Sequence, residues 1–258
     1  MIENIFDTHS HYDDKAFDED RYELINALPE QGVVGIINCG TDIKSSSDSL
    51  KLSEQFDFVY AACGIHPHEC DKHELNTTLD DLKKLLIIKK CVAVGEIGLD
   101  YHYDFSPREK QIEFFEAQIR LAKEMDLPVI VHNRQAHEDT LKILKKYQPK
   151  GVLHCFSGSV EMAKEVIKIG LYIGIGGSVT FKNAKKPVAV AKYVPDDKLL
   201  VETDCPYMAP VPLRGKRCTS DMIMHTAQVI AQIRDTQTQE VLNSTHKNAL
   251  TLFNISSY

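Results

Sequence analysis

Long apolar runs are missing from this sequence. No stretch approaches the roughly 20 consecutive apolar residues that a membrane-spanning helix requires, so no membrane association is expected. The opening residues, Met1 to Asp7, hold no basic segment followed by an apolar core, which speaks against a secretory leader and makes a cytoplasmic protein the expectation. Cysteine pairs at metal-binding spacing are missing too. The 7 cysteines stand at 39, 63, 70, 91, 155, 205 and 218, an odd number with no CxxC. That spacing excludes a zinc finger and argues against a disulfide framework; buried, reduced thiols are expected instead. Excess positive charge is also absent: 30 Lys and Arg stand against 37 Asp and Glu, a formal net charge of −7. Bulk attraction to nucleic acid is therefore disfavoured, although a local basic rim or a bound cation could still supply it. No linker or low-complexity tract divides the chain, so a single domain over 1–258 is expected, and nothing implies a protein partner.

What recurs is a short β-branched run, a turn, and a longer stretch of helical periodicity. The pattern predicts strands at 5–9, 33–39, 58–64, 91–97, 128–132, 151–156, 172–176 and 199–203. Helices are predicted at 21–31, 44–56, 78–89, 107–125, 136–147, 160–169, 183–193 and 220–234, with a final one at 238–253. Ser106-Pro107-Arg108-Glu109 has the form of a capping serine, a proline at the first helical position and a glutamate three residues after the serine. Gly170 is placed to end the sixth helix. Strands such as Val129-Ile130-Val131 and Leu199-Leu200-Val201 are apolar throughout, as in a parallel sheet buried on both faces. Eight such units in 258 residues fit a single-domain (β/α)8 TIM barrel, for which about 250 residues is typical. An open doubly wound sheet is the alternative.

The ends of those strands carry the reactive side chains. The first ends in Asp7-Thr8-His9-Ser10-His11, where residues two apart in extended backbone share a face, so His9 and His11 can reach one ion. The fourth ends in Gly95-Glu96-Ile97-Gly98. A glutamate after Val92-Ala93-Val94 needs a partner to be buried, either a salt bridge or a cation, and its flanking glycines leave space for something to approach the backbone. The fifth ends in Val131-His132-Asn133-Arg134, the sixth in Leu153-His154-Cys155-Phe156 and the eighth in Glu202-Thr203-Asp204-Cys205-Pro206. In a barrel those ends converge on one mouth, where six such residues make sense as ligands for divalent cations and little sense as a core. His66 lies on the same rim as a substrate contact rather than a ligand. His102 could reach the mouth or lie in its loop. His73, His137, His225 and His246 read as surface residues, and Asp7 either orients a ligand or makes a strand-end hydrogen bond.

Taken in order, Asp7-Thr8-His9-Ser10-His11, Gly64-Ile65-His66-Pro67-His68, Gly95-Glu96-Ile97-Gly98-Leu99-Asp100-Tyr101, Val131-His132-Asn133-Arg134, His154-Cys155-Phe156-Ser157-Gly158 and Glu202-Thr203-Asp204-Cys205-Pro206-Tyr207 resemble the motifs of the TatD family of metal-dependent deoxyribonucleases, over essentially the whole chain. The resemblance implies a TIM barrel with one or two divalent ions. His9, His11, Glu96 and Asp204 would hold the first ion, and Glu96 would bridge to a second on His132 and His154. Without thiolates the donor set does not choose among Mg, Mn and Zn. The implied activity is phosphodiester hydrolysis of DNA, exonuclease-like, with Asp204 and Glu96 as the catalytic residues. The alternative is a hydrolase of the same fold acting on another bond, such as an aminoacyl-tRNA ester or a small cyclic amide or lactone. Arg134, Arg214, Lys216 and Arg217, with His66, are the substrate-binding candidates. Lys182, Lys185 and Lys186 add charge after strand seven, or are solvated surface residues. Where the family commonly continues Asn-Glu-Pro after Arg217, this chain has Cys218-Thr219-Ser220, in which Thr219 or Ser220 could cap the next helix.

Overall fold

A computed structural model describes residues 2–256. Eight strands form one parallel sheet in sequence order: β1 (Ile5–Ser10), β2 (Val33–Cys39), β3 (Val59–Cys63), β4 (Cys91–Asp100), β5 (Val129–Arg134), β6 (Gly151–Leu153), β7 (Tyr172–Ile175) and β8 (Leu199–Val201). The helices α1 (Arg21–Ala27), α2 (Ile43–Gln55), α3 (Leu75–Leu86), α4 (Arg108–Glu124), α5 (His137–Tyr147), α6 (Val160–Lys168), α7 (Lys185–Tyr193) and α8 (Ile223–Arg234) alternate with them, and α9 (Thr238–Leu252) follows. The sheet curls until β8 returns to β1. There Asp204 N–H donates to the His9 carbonyl (2.9 Å) and His11 N–H to the Cys205 carbonyl (2.9 Å). Thr8 Oγ1 reaches the Val201 carbonyl at 3.0 Å. The expected TIM barrel is therefore the fold, and the open sheet is set aside by this seam. Among the described residues no helix is long and apolar enough to cross a membrane. Met1 and Ser257–Tyr258, the ends of the expected domain, lie outside the described residues.

The apolar strands divide their side chains between two layers. Phe6, Ile37, Ala62, Ala93, Ile130 and Leu200 fill the barrel interior, where Ala249 and Phe253 at the end of α9 join them. A larger layer, including Ile36, Ile97, Phe114, Phe115, Val131 and Ile230, packs between the strands and the helices. Burial on both faces is what the unbroken apolar runs predicted.

Two local expectations are corrected. Ser106 does not cap α4, whose cap position is Pro107 with no side-chain hydrogen bond. Its hydroxyl instead accepts from Asp71 N–H (3.0 Å) and donates to the His68 carbonyl (3.2 Å), fastening the β3 loop to the β4 loop. Neither Thr219 nor Ser220 caps by its side chain; Ser220 Oγ donates inward to Asp7 Oδ2 at 2.7 Å. The glycines beside Glu96 do leave space for something to approach the backbone, and that something is the neighbouring strand β5. A Cβ on Gly98, at φ +144°, would lie 2.0 Å from the His132 carbonyl oxygen, and one on Gly95 would lie 2.7 Å from Ile130 Cβ. Gly170, at φ +94°, does follow the last residues of α6 as expected.

Candidate metal centre

His9, His11, Glu96, His132, His154 and Asp204 meet at the C-terminal mouth of the barrel. Three clusters have ligand atoms within 4.8 Å of one another: His9, His11 and Asp204; His9, Glu96 and His154; and His66, Glu96 and His132. Glu96 lies between them and its two oxygens face different partners. Oε2 is 3.4 Å from His9 Nε2 and 3.6 Å from His11 Nε2. Oε1 is 2.8 Å from both His132 Nδ1 and His154 Nε2. Asp204 Oδ1 completes the first side, 3.7 Å from His9 Nε2 and 3.5 Å from His11 Nε2. Asp204 adopts the left-handed backbone region at φ +60°, which a short polar side chain tolerates better than most.

Whether this set fits a cation can be tested on the imidazoles, because each ring has one nitrogen to bind with and one to tie down. His11 Nδ1 lies 2.8 Å from the Cys39 carbonyl, which can only accept, so the proton sits there and Nε2 is free inward. His132 Nε2 faces Asp100 Oδ2 at 3.2 Å, leaving Nδ1 inward. His154 Nδ1 points at Glu202 Oε1 at 3.5 Å, leaving Nε2 inward. His9 Nδ1 meets Cys39 Sγ at 3.5 Å, again with Nε2 inward. Free nitrogens converge on two carboxylates, with His9 Nε2 and His11 Nε2 3.0 Å apart and His132 Nδ1 and His154 Nε2 3.2 Å apart. The donor set fits divalent cations.

His66 belongs to the same cavity but has the opposite polarity. Its Nδ1 accepts from His68 N–H (3.2 Å), which places the ring proton on Nε2, 3.5 Å from Glu96 Oε1. The inward atom is a donor, suited to an anionic group and unsuited to an ion. Burial holds His66 well below the ordinary histidine range, so it stays neutral.

The remaining electrostatics follow from the same crowding. Burial would raise Glu96, but the charge on His154 first, and the hydrogen bond from His132, outweigh it and hold the carboxyl well below its usual range. Burial opposes charge on His11 as well, yet Asp204 and Glu96 push it up to about 9. His154 is raised despite burial by Glu96 and Glu202, and His132 by Asp100 and Glu96. His9 is lowered, first by burial. Without metal, then, the carboxylates draw protons onto three imidazoles, a demand for positive charge at this spot.

Sequence reasoning missed two positioning residues. Glu202 is buried in the barrel, where it accepts from Cys155 N–H and faces His154, while its Oε2 has no hydrogen-bond partner. A Cβ on Gly174 would come within 2.5 Å of that oxygen, so a side chain there would displace the Glu202 carboxylate. The signal was available: Glu202 follows Leu199-Leu200-Val201 much as Glu96 follows its own apolar run. Asp100 accepts from His68 (2.8 Å) as well as His132, and also from the His102 and Tyr103 amides. These bonds outweigh burial and hold it well below the carboxylate range. Asp7 makes the strand-end hydrogen bonds expected of it. It accepts from the amides of His9 (3.2 Å) and Thr203 (3.0 Å), fixing the residues beside two ligands, and burial raises it to about 7.

The basic candidates separate. Arg134 is exposed at the end of β5, with its guanidinium 4.6 Å from the Tyr103 ring centre. Arg214 lies over Phe181 at 4.1 Å, which joins the loops after β7 and β8; Lys216 is exposed beside it. Lys185 and Lys186 line a cavity of about 430 Å³ with Cys155, Phe156, Ser178 and Met208, next to His154. Arg217 is placed otherwise. Its guanidinium is bound to both oxygens of Asp20 and to the Ala16 carbonyl, pinning the β8 loop to the β1 loop, so it is committed within the chain. His102 stays in its loop, exposed and bonded to Gln135 (3.1 Å). His73, His137, His225 and His246 are half-buried rather than fully on the surface.

The family model described as TatD related DNase matches residues 6–254. The protein named Uncharacterized metal-dependent hydrolase YabD, of Bacillus subtilis (strain 168), is 43% identical, covering 98% of this chain and 100% of its own. The 3'-5' ssDNA/RNA exonuclease TatD of Erwinia tasmaniensis is 34% identical, covering 97% and 100%. Among solved structures, the TatD homologue YjjV of Escherichia coli K12 superposes with a TM-score of 0.93 at 34% identity, covering 99% of this chain and 100% of that one.

Proposed function

This chain belongs to the TatD-related DNase family of metal-dependent hydrolases, and on that footing we propose that it hydrolyses phosphodiester bonds at the ends of nucleic acid, DNA first, in the cytoplasm. The observation that carries the reading is the divided carboxylate: Glu96 faces His9 and His11 through one oxygen and His132 and His154 through the other. That arrangement suits two cation positions, with His9, His11 and Asp204 around one and His132 and His154 around the other. When bound, divalent ions supply Lewis acidity toward a phosphoryl oxygen and toward water.

The chain's own groups divide the remaining work. Asp204 takes the proton from the attacking water. Its side chain is 23% exposed, against 5% for Glu96, so it is the carboxylate of the set that opens toward a reactant. Hydrogen bonding from His11 and the nearby His9 outweigh burial and hold Asp204 below its usual range, so it is ionised. Glu96 would be shared between the two cation positions, with Asp100 behind the ring of His132 and Glu202 behind that of His154. The Nε2–H of His66 binds a phosphoryl oxygen; Arg134, Arg214 and Lys216 hold the backbone beyond it, and Lys185 and Lys186 extend the positive rim. The reading gains support from the relative named as a 3'-5' ssDNA/RNA exonuclease. The seven free cysteines, six of them buried, accord with a reducing cytoplasm.

Protein loaded with Mg, Mn or Zn and given end-labelled single-stranded DNA tests this directly. Wild type should shorten the strand, His132→Ala should not, and Asp204→Asn should lose at least about 100-fold in turnover while keeping its circular dichroism spectrum. Full activity in Asp204→Asn would remove the proton-acceptor role. Metal-dependent hydrolysis of a simple ester with no strand cleavage would move the chain to another bond class.

A further inference from the structure

Tyr103 and Phe105 lie between β4 and α4 and are unusually open for large side chains, 46% and 65% exposed. They are not scattered surface aromatics of the ordinary kind. Their rings stack on each other, with centres 5.1 Å apart and planes 14° from parallel. His68 meets both edge-on, at 5.4 Å from Tyr103 and 4.8 Å from Phe105. That same His68 lies 4.4 Å from His66 and shares Asp100 with His132. A continuous run of rings therefore leads from the metal cluster out to an open aromatic face. Charge along this path favours an anion. Arg134 lies over Tyr103 and has no ion pair among the described residues; of the acids nearby, Asp104 is held by a bidentate bond from Arg108 (2.9 and 2.7 Å), and the buried Asp100 is engaged by His68 and His132.

Resting on the nuclease reading above, we propose that the Tyr103–Phe105 pair is a stacking platform for an unpaired base of the substrate, so that the enzyme selects single-stranded ends. A base within a duplex has both faces covered by its neighbours and cannot lie on Phe105. An unpaired one can, with its phosphates running past Arg134 toward the cluster. Stacking is indifferent to base identity and to the sugar, because every base has a π-face. Single-stranded DNA and RNA of any sequence would then share the platform.

The sequence contains no tryptophan, so Phe105→Trp gives the protein a single indole placed on the platform. In chelator-treated protein, where turnover is absent, its fluorescence should be quenched by oligothymidylate. An abasic oligomer of equal length and charge, or a closed circular duplex, should not quench it. In the metal-loaded enzyme, Tyr103→Ala/Phe105→Ala should raise KM for the base-bearing strand about tenfold, the scale of one lost stack, and abolish the preference over the abasic oligomer. Equal quenching by the abasic oligomer, or an unchanged KM in the double variant, would overturn the platform. Those failures differ from that of the underlying reading, which falls only if loaded wild-type protein cleaves no phosphodiester at all.

Discussion

His154 presents one nitrogen to Glu96 at 2.8 Å and turns the other toward Glu202 Oε1 at 3.5 Å, an ion-pair contact without hydrogen-bond geometry. A carboxylate behind a ligating imidazole fixes its tautomer and raises its basicity, and losing it typically costs 10–100-fold in metal affinity. Glu202→Gln should accordingly weaken divalent-ion binding by about 10–100-fold in calorimetric titration while the fold persists. If Glu202 were only structural, melting temperature would fall and the dissociation constant would not move. The same residue-level view explains which side chains were legible in the sequence. The six ligand candidates show themselves as hydrophilic residues at the ends of apolar runs. The polarity of His66 does not, because it depends on an amide of His68 finding its Nδ1. Arg217 read as a free cation until Asp20, 197 positions away, was brought against it.

Between strands, distance of approach is what places Glu96 against His132. β4 and β5 pair Gly98 with His132, and the β5 carbonyl occupies the space a Cβ would need. Gly98→Ala should therefore force the two strands apart as well as strain a backbone at φ +144°. The expected outcome is destabilisation of at least about 2 kcal/mol by denaturant unfolding, together with weakened metal binding. A near-neutral result would mean the strand pair relaxes freely. Element type was readable here because the β4 and β5 runs are apolar on both faces. The reason for the glycine was not, since it lies in the partner strand. Ser106 is a similar case: its spacing to Glu109 has the form of a cap, yet loop packing turned the hydroxyl to Asp71 and His68.

For the whole molecule, removing metal leaves carboxylates that only protons can balance. His11 has a folded pKa of about 9 against 6.5 unfolded, so its contribution to stability is complete below pH 6.5 and is lost as pH rises through about 9. His132 and His154 shift in the same direction, whereas His9 and His66 are already neutral across that window. Asp7 acts alike at lower pH, since its proton is held in the folded state up to about 7. Chelator-treated protein should thus lose melting temperature steadily from pH 6.5 to 9. Loaded protein should not, because bound ions replace those protons and bind better as the protons leave. A gap between the two that narrowed with rising pH would contradict the assignment of these residues as the cation's ligands.

The sequence by itself determined eight alternating strand and helix units, the strand ends that carry chemistry, and the identity of the residues gathered there, because periodicity and burial are local consequences of residue type; closure into a barrel was decided by the seam between β8 and β1. The tertiary structure alone decided how those residues divide. Glu96 faces two groups of imidazoles because the barrel seam sets β1 beside β8 while β5 and β6 lie across the mouth. Asp100 and Glu202 became positioning residues, and Tyr103 and Phe105 an exposed stack, through contacts that no spacing along the chain encodes.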